Sequence, residues 1–165
     1  MPEVTLDVRI PDLNPLAVFE RLRDFGAYPK FTDAIREVRV VEIDHCTVDS
    51  HWQANFRNGV LCWSERDTID PAALSIEFTQ LDGDFERFEG GWYVSEDSPG
   101  TTARFTAVFD LGIPTLASLI DPIAARTLLD TMGLIARGLF GPHVLLDEPE
   151  TVPAGAGAPD GGRRP

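Results

Sequence analysis

Hydrophobic and polar residues alternate at the beginning of the chain. In residues 4–10 every second residue is apolar, which is the pattern of a β-strand with one buried face. The spacing changes after Asn14 and Pro15, where apolar residues recur every three or four positions as far as Phe25. This spacing predicts a helix with Asn14 as its N-cap and Pro15 in its first turn. Gly26 ends that run, and a second short helix is predicted over residues 29–34.

The middle of the chain consists of strand-like segments separated by turn residues. Predicted strands cover residues 38–43, 48–56, 60–69, 74–81, 85–94 and 102–111. Asn58-Gly59 is a strong signal for a two-residue hairpin turn, and Asp82-Gly83 marks a later turn. Because the turns are short, consecutive strands must be antiparallel, so these segments form a meander.

Helical spacing returns after Pro114. One broad apolar stripe contains Leu116, Leu119, Ile120, Ile123, Leu128, Met132, Ile135 and Leu139. Gly141-Pro142 is a typical helix end, and Pro122 marks either a kink or the true start of the helix. From Asp147 onward the chain is rich in Pro, Gly and Ala, so residues 147–165 are predicted to be a disordered tail.

The order of these elements predicts one α+β domain over residues 1–146. A curved seven-stranded antiparallel sheet would surround a long C-terminal helix, with two short helices between strands 1 and 2. One helix cannot cover seven flat strands, so the sheet must curl. Curling leaves room for a ligand cavity between sheet and helix.

Composition and charge narrow the possible partners. The 165-residue chain carries a formal net charge of -13, which opposes binding to nucleic acid. No signal peptide or apolar membrane span is recognisable, so a cytoplasmic protein with reduced Cys46 and Cys62 is expected. The three histidines are not spaced as metal ligands, and no nucleotide-binding motif is present. We therefore expect neither a metal nor another cofactor.

Three segments resemble the START/polyketide-cyclase superfamily. They are residues 27–31 (A-Y-P-K-F), 63–66 (W-S-E-R) and 81–92 (L-D-G-D-F-E-R-F-E-G-G-W), within a resemblance that spans residues 4–139. The superfamily includes aromatase/cyclases of aromatic polyketide pathways and coenzyme Q-binding lipid carriers. The resemblance implies the helix-grip fold, a pocket for a hydrophobic ligand and a place in antibiotic biosynthesis.

The aromatase/cyclase pattern implies three catalytic residues here. Ser64 and Arg66 match a Ser-x-Arg motif that faces the pocket in that family, and Tyr28 matches a pocket aromatic before a proline. The chain departs from the pattern at Gln80, where some of these cyclases place a second pocket arginine on this stretch.

Strand alternation alone leaves the inward face of the strand at residues 60–69 undecided. Ser64 and Arg66 share one face, whereas Trp63, Glu65, Asp67 and Ile69 belong to the other. The resemblance favours Ser64 and Arg66 inside, although Arg66 could instead pair with Glu77 or another acid on the outer face. The predicted ligand-contacting residues are Phe31, Trp52, Phe56, Phe78, Gln80, Phe88, Trp92, Phe105 and Met132.

These residues support two functional hypotheses. The first is a cofactor-independent enzyme that cyclises and dehydrates an oxygenated polyketide, as the resemblance implies. Arg66 would stabilise developing oxyanion charge, while Ser64 and Tyr28 would orient water or relay a proton. The second is a carrier that binds a quinone, lipid or polyketide product without chemistry. An acyl carrier protein is a conceivable partner, and the chain would be a monomer or homodimer.

Overall fold

Eight β-strands and two α-helices make up residues 2–149, the part of the chain that the computed structural model describes. The strands are β1 (Glu3–Ile10), β2 (Ile35–Asp44), β3 (Thr47–Phe56), β4 (Gly59–Asp70), β5 (Ser75–Gly83), β6 (Arg87–Asp97), β7 (Gly100–Asp110) and β8 (Leu145–Asp147). The helices are α1 (Pro15–Leu22) and α2 (Ala117–Phe140), with 3-10 helices at Phe25–Lys30 and Pro114–Leu116.

All strands belong to one antiparallel sheet with the order β2-β3-β4-β5-β6-β7-β1-β8. The predicted meander is confirmed, because β2 to β7 are neighbours in chain order. The sheet has eight strands rather than the predicted seven, since the chain turns back after α2 and Leu146 pairs with Val8. The predicted tail at 147–165 lies outside the described residues except for 147–149, where Glu148 pairs with Arg126 on α2.

The short helices differ in length from their predictions. Asn14 caps α1 as predicted, because its side-chain oxygen accepts a hydrogen bond of 2.8 Å from the Ala17 N–H. The second short helix covers Phe25–Lys30 instead of 29–34 and is a 3-10 helix. The α-helix ends at Leu22, and Gly26 lies inside the 3-10 helix, so the predicted helix end at Gly26 is wrong.

The long helix α2 continues through Pro122 and ends at Gly141, whose φ of 98° suits glycine. Its C-terminal half supplies the buried face, including Leu129, Met132 and Ile135. The beginning of the predicted stripe is exposed, with Leu119 at 65%. This part of the prediction is wrong for Leu116 because Leu116 precedes the helix and belongs to the 3-10 turn.

Irregular pairing bends the sheet around α2. The register shifts between Ile35 and Glu37, between Glu42 and Asp44, and between Ser64 and Glu65. Such shifts bend a strand and increase its twist. The curl leaves the side chains of the inner face against α1, the 3-10 helix Phe25–Lys30 and α2, where the core lies.

Candidate functional site

A cavity of about 120 Å³ lies between the curved sheet and α2. This is close to the roughly 150 Å³ of an apolar cavity that admits benzene. The lining is almost entirely apolar, and it includes the side chains of all three tryptophans of the chain, Trp52, Trp63 and Trp92. Asn55 and Phe56 lie at its partly exposed end, next to the turn between β3 and β4.

Aromatic rings form a connected wall along one side of this cavity. Trp52 stacks on Trp63 with ring centroids 5.9 Å apart and an interplanar angle of 3°. Trp63 also meets Phe85 and Phe88 edge to face, each at 5.4 Å. Tyr28 reaches the same wall, 5.8 Å from Trp52. Such a wall fits flat, apolar ligands.

Two acidic residues lie on the inner face of β4. Glu65 is 4% exposed and Asp67 is fully buried, and both line the cavity together with Trp63. They alternate with outward residues, so the two carboxyl groups are neighbours on one face of the strand. We call Glu65 and Asp67 the carboxyl pair.

Neutral donors hold the carboxyl pair in place. The Trp63 indole N–H donates to Glu65 Oε1 at 2.8 Å, and the Ser50 hydroxyl donates to Asp67 Oδ2 at 2.6 Å. The Trp52 indole N–H in turn donates to the Ser50 oxygen at 2.8 Å. Asp67 Oδ1 is buried without a hydrogen-bond donor among the described residues. A protonated Glu65 can supply the missing hydrogen-bond donor to Asp67 Oδ1.

The buried surroundings of the carboxyl pair favour a proton on Glu65. Burial raises the pKa of Glu65 well above its ordinary value, and both a hydrogen bond with Asp67 and the charge of Asp67 raise it further. Burial also raises the pKa of Asp67, against hydrogen bonds with Glu65 and Ser50 that lower it. Burial thus favours the protonated form of both carboxyl groups, and more strongly for Glu65 than for Asp67.

Tyr28 lies beside this pair at the cavity wall, as the sequence predicted, with only 2% of its surface exposed. Its hydroxyl donates to the Leu22 carbonyl oxygen at 2.6 Å and thereby fastens the 3-10 helix to the end of α1. Burial and the charges of Glu65 and Asp67 raise the pKa of Tyr28, so the phenol stays neutral. Its predicted catalytic role stays a prediction.

Ser64 and Arg66 do not face the cavity, so their predicted placement is wrong. The Arg66 side chain is 49% exposed on the outer face of the sheet and forms two hydrogen bonds of 2.8 and 3.0 Å with Asp49. Ser64 hydrogen-bonds with His51 on the same outer face. Arg66 therefore cannot stabilise charge on a ligand in the cavity.

Strand register explains this outcome. The hairpin between β3 and β4 has a two-residue turn at Arg57 and Asn58, with Phe56 paired to Gly59. Each even-numbered position of β3 is therefore opposite an odd-numbered position of β4, and Trp52 pairs with Trp63. Directly paired residues point to the same face. Since Trp52 is inside, Trp63, Glu65 and Asp67 must be inside as well.

Two residues predicted to contact the ligand, Phe31 and Gln80, are not part of the cavity lining. Phe31 packs against α2, where its ring fills the space that a Cβ on Gly138 would need. The Gln80 amide donates to the Phe85 carbonyl oxygen at 3.0 Å and accepts from the Phe85 N–H at 3.3 Å, so it holds the turn between β5 and β6. Both side chains are engaged in local contacts, and their predicted contact with a ligand stays a prediction.

The other predicted contacts line the cavity: Trp52, Phe56, Phe78, Phe88, Trp92, Phe105 and Met132. Sequence reasoning missed Glu65 and Asp67, although a signal was present. A two-residue turn at Asn58-Gly59 would also oppose even and odd positions across the hairpin. Because Trp52 was expected to point inward, the odd-numbered residues Glu65 and Asp67 on β4 should have been expected to point inward as well.

Within residues 2–149 no group of three or more His, Cys, Asp and Glu side chains is arranged to hold a metal ion. In the same part of the chain, neither α1 nor α2 is long and apolar enough to span a membrane.

Residues 12–132 match the sequence profile of a family described as polyketide cyclase / dehydrase and lipid transport. No curated protein sequence matches the chain. Several solved structures share its fold. TTHA0849 from Thermus thermophilus aligns with a TM-score of 0.75 and 23% identity, over 83% of this chain and 96% of that protein.

Two further structures show the same likeness at lower identity. The ZhuI aromatase/cyclase from Streptomyces sp. R1128 aligns with a TM-score of 0.70 and 15% identity, over 84% of this chain and 94% of that one. A START superfamily protein from Mycobacterium smegmatis has a TM-score of 0.71 and 15% identity, with coverage of 85% and 97%. The helix-grip fold and the START/polyketide-cyclase resemblance are confirmed.

Proposed function

The chain belongs to the polyketide cyclase / dehydrase and lipid transport family, and on this premise we propose that it binds a mostly apolar, ring-bearing small molecule in the cavity beneath α2. The observation that carries the proposal is the wall of aromatic rings around an interior space, with Trp52 stacked on Trp63. Such linings bind flat ligands through apolar contact, while a few polar groups fix their orientation. The carboxyl pair supplies those polar groups.

Tryptophan fluorescence provides a direct test, because Trp52, Trp63 and Trp92 all line the cavity. Benzyl alcohol is a suitable neutral probe, since it carries one ring and one polar group. Saturable change in emission is expected for the natural chain. Thr127→Phe, which places a ring in the cavity lining, should abolish that change.

The matched control is Thr79→Phe, which adds the same ring to an exposed position on β5. It should leave the titration unchanged. Equal binding by the cavity-filled and control variants would contradict an interior site.

Polyketide cyclisation is a second candidate, favoured by the carboxyl pair. Two neighbouring carboxyl groups, of which Glu65 has the more strongly raised pKa, can serve as acid and base in the dehydration of a hydroxy ketone. In this scheme Glu65 supplies the proton that Ser64 and Tyr28 were predicted from the sequence to relay. Turnover of a reactive polyketide by the natural chain, lost in Glu65→Gln with binding retained, would support it. Binding without conversion would identify a carrier.

A further inference from the structure

The charge inside the cavity is unbalanced. Glu65 and Asp67 line it, and among the described lining residues there is no Lys, Arg or His. The nearest arginine along β4, Arg66, points to the outer face and is paired with Asp49. A buried carboxylate without a cation is costly, so folding alone does not explain the pair.

One oxygen of the pair also lacks a fixed donor. Asp67 is fully buried, and its Oδ1 has no hydrogen-bond partner among the described residues, whereas Oδ2 accepts from Ser50. Tyr28 cannot fill the place, because its hydroxyl proton is donated to Leu22. The site therefore has room for a donor that arrives with the ligand or as a proton on Glu65.

Aromatic rings surround this unbalanced charge. Trp63 donates its indole N–H to Glu65, and its ring stacks on Trp52 and touches Phe88. Indole and phenyl faces attract cations in addition to apolar groups. Carboxylates and rings together form the environment that recognises a protonated amine attached to a ring.

We infer that the ligand of this cavity is a ring-bearing amine whose ammonium group binds Glu65 and Asp67. The inference rests on the proposed binding function and adds the charge of the ligand. An anionic ligand such as a fatty acid is disfavoured by the carboxylates. A neutral ligand would leave the negative charge without a cation.

Proton exchange should accompany binding. If a proton lies between the two carboxyl groups of the empty pair, an ammonium group that replaces it releases that proton to the solvent. The other titratable group facing the pair is Tyr28, which stays neutral. Asp49, on the outer face of β3, acts on Asp67 only through its charge. The helix α2 contributes Thr127 and Thr131 to the cavity, and neither titrates. Amine affinity should therefore increase with pH below the pKa of the amine.

Three probes of equal ring size separate the possibilities: benzylamine, benzyl alcohol and benzoate. Calorimetric titration of the full chain should show benzylamine binding at least about tenfold more tightly than benzyl alcohol near neutral pH. Benzoate should bind most weakly. Titrations in two buffers of different ionisation enthalpy should show proton release with benzylamine alone.

Substitutions test whether the carboxyl pair causes the preference for benzylamine over benzyl alcohol. In Glu65→Gln combined with Asp67→Asn, benzylamine should lose its advantage over benzyl alcohol. Glu77→Gln combined with Glu89→Gln removes the same formal charge from β5 and β6 outside the cavity lining, and should keep the advantage. Glu65→Gln alone retains the Asp67 carboxylate, so it should bind benzylamine without releasing a proton.

The outcomes distinguish the two proposals. If benzyl alcohol binds as tightly as benzylamine, or if the double variant keeps the preference, the amine inference fails and the binding function stands. If none of the probes binds, both fail. Preference for benzylamine that disappears only in the cavity variants supports both.

Discussion

The two faces of β4 contain similar polar side chains in opposite settings. On the outer face, Arg66 and Asp49 form an ion pair that remains partly in water, with 49% and 17% of their side chains exposed. On the inner face, Glu65 and Asp67 are buried among aromatic rings and shielded from water. Adjacent residues of one strand thus differ in their exposure to water and in whether an opposite charge lies beside them.

This difference shows that position in the sheet, and not residue type, decides which polar groups can act on a ligand. An exposed ion pair contributes little to stability, because water solvates both partners almost as well. Burial raises the pKa of an acid, and a charge that enters a buried site interacts strongly with that acid. The comparison can be tested face by face.

The largest contrast is expected for apolar truncation on the two faces. Ile69 is 4% exposed on the inner face, so Ile69→Ala should reduce the free energy of unfolding by roughly 2 to 4 kcal/mol. Its neighbour Thr68 is exposed on the outer face, and Thr68→Ala should change that free energy by less than about 0.5 kcal/mol. Urea denaturation of both variants measures the difference, and equal losses would contradict the assignment of the faces.

The next effect is a pH dependence that Glu65 imposes on folding. Because its pKa is raised in the folded state, the folded protein retains a proton that the unfolded chain loses above about pH 4.3. Stability from this group is complete below that pH and declines as the pH rises toward the raised pKa. The slope is at most about 1.4 kcal/mol per pH unit.

Glu65→Gln should flatten this decline and make the protein more stable than the natural chain at alkaline pH. The matched control is Glu89→Gln, because the Arg87 guanidinium holds the pKa of Glu89 below its usual range, so its effect falls at acid pH. Denaturation curves at several pH values provide the measurement. A natural chain whose stability stays level above pH 5 would show that Glu65 is ionised when folded.

A smaller loss is expected for Tyr28→Phe. Removing the hydroxyl leaves the Leu22 carbonyl oxygen without this donor, which should cost about 1 to 2 kcal/mol of unfolding free energy. Thermal denaturation measures this loss. Reduced turnover of a substrate with unchanged stability would instead favour the catalytic role predicted from the sequence.

The smallest effects are expected on the outer face. Arg66→Ala and Ser64→Ala should leave the affinity for a cavity ligand within about twofold of that of the natural chain, because neither side chain reaches the interior. Fluorescence titration with benzyl alcohol checks this expectation. A large loss of affinity in Arg66→Ala would mean that the ligand binds outside the cavity.

The fold was predictable from the sequence because its signals are local. Alternation and short turns specified six consecutive antiparallel strands, and Asn14, Pro15 and Gly141 marked helix ends. The eighth strand was missed since Leu145–Asp147 is short and forms only by pairing with β1. A segment of this length has no periodicity of its own.

The site was harder to predict, because alternation separates the two faces of a strand but does not show which face points to the interior. The resemblance to aromatase/cyclases favoured Ser64 and Arg66, whereas the hairpin register required Glu65 and Asp67 inside. Aromatic residues such as Phe88 and Phe105 were placed correctly, since burial follows from their size. Burial of two acids depends on their neighbours Trp63 and Ser50, whose hydrogen bonds only the folded structure reveals.

The central claim, that ligand binds at the inner face of β4, can be tested in one NMR titration. The Trp52 and Trp63 indole N–H groups report on the inner face, and the Arg66 Nε–H group reports on the outer face. Addition of benzyl alcohol should shift both indole signals and leave the Arg66 signal in place. A shift at Arg66 with unmoved indole signals would contradict the account.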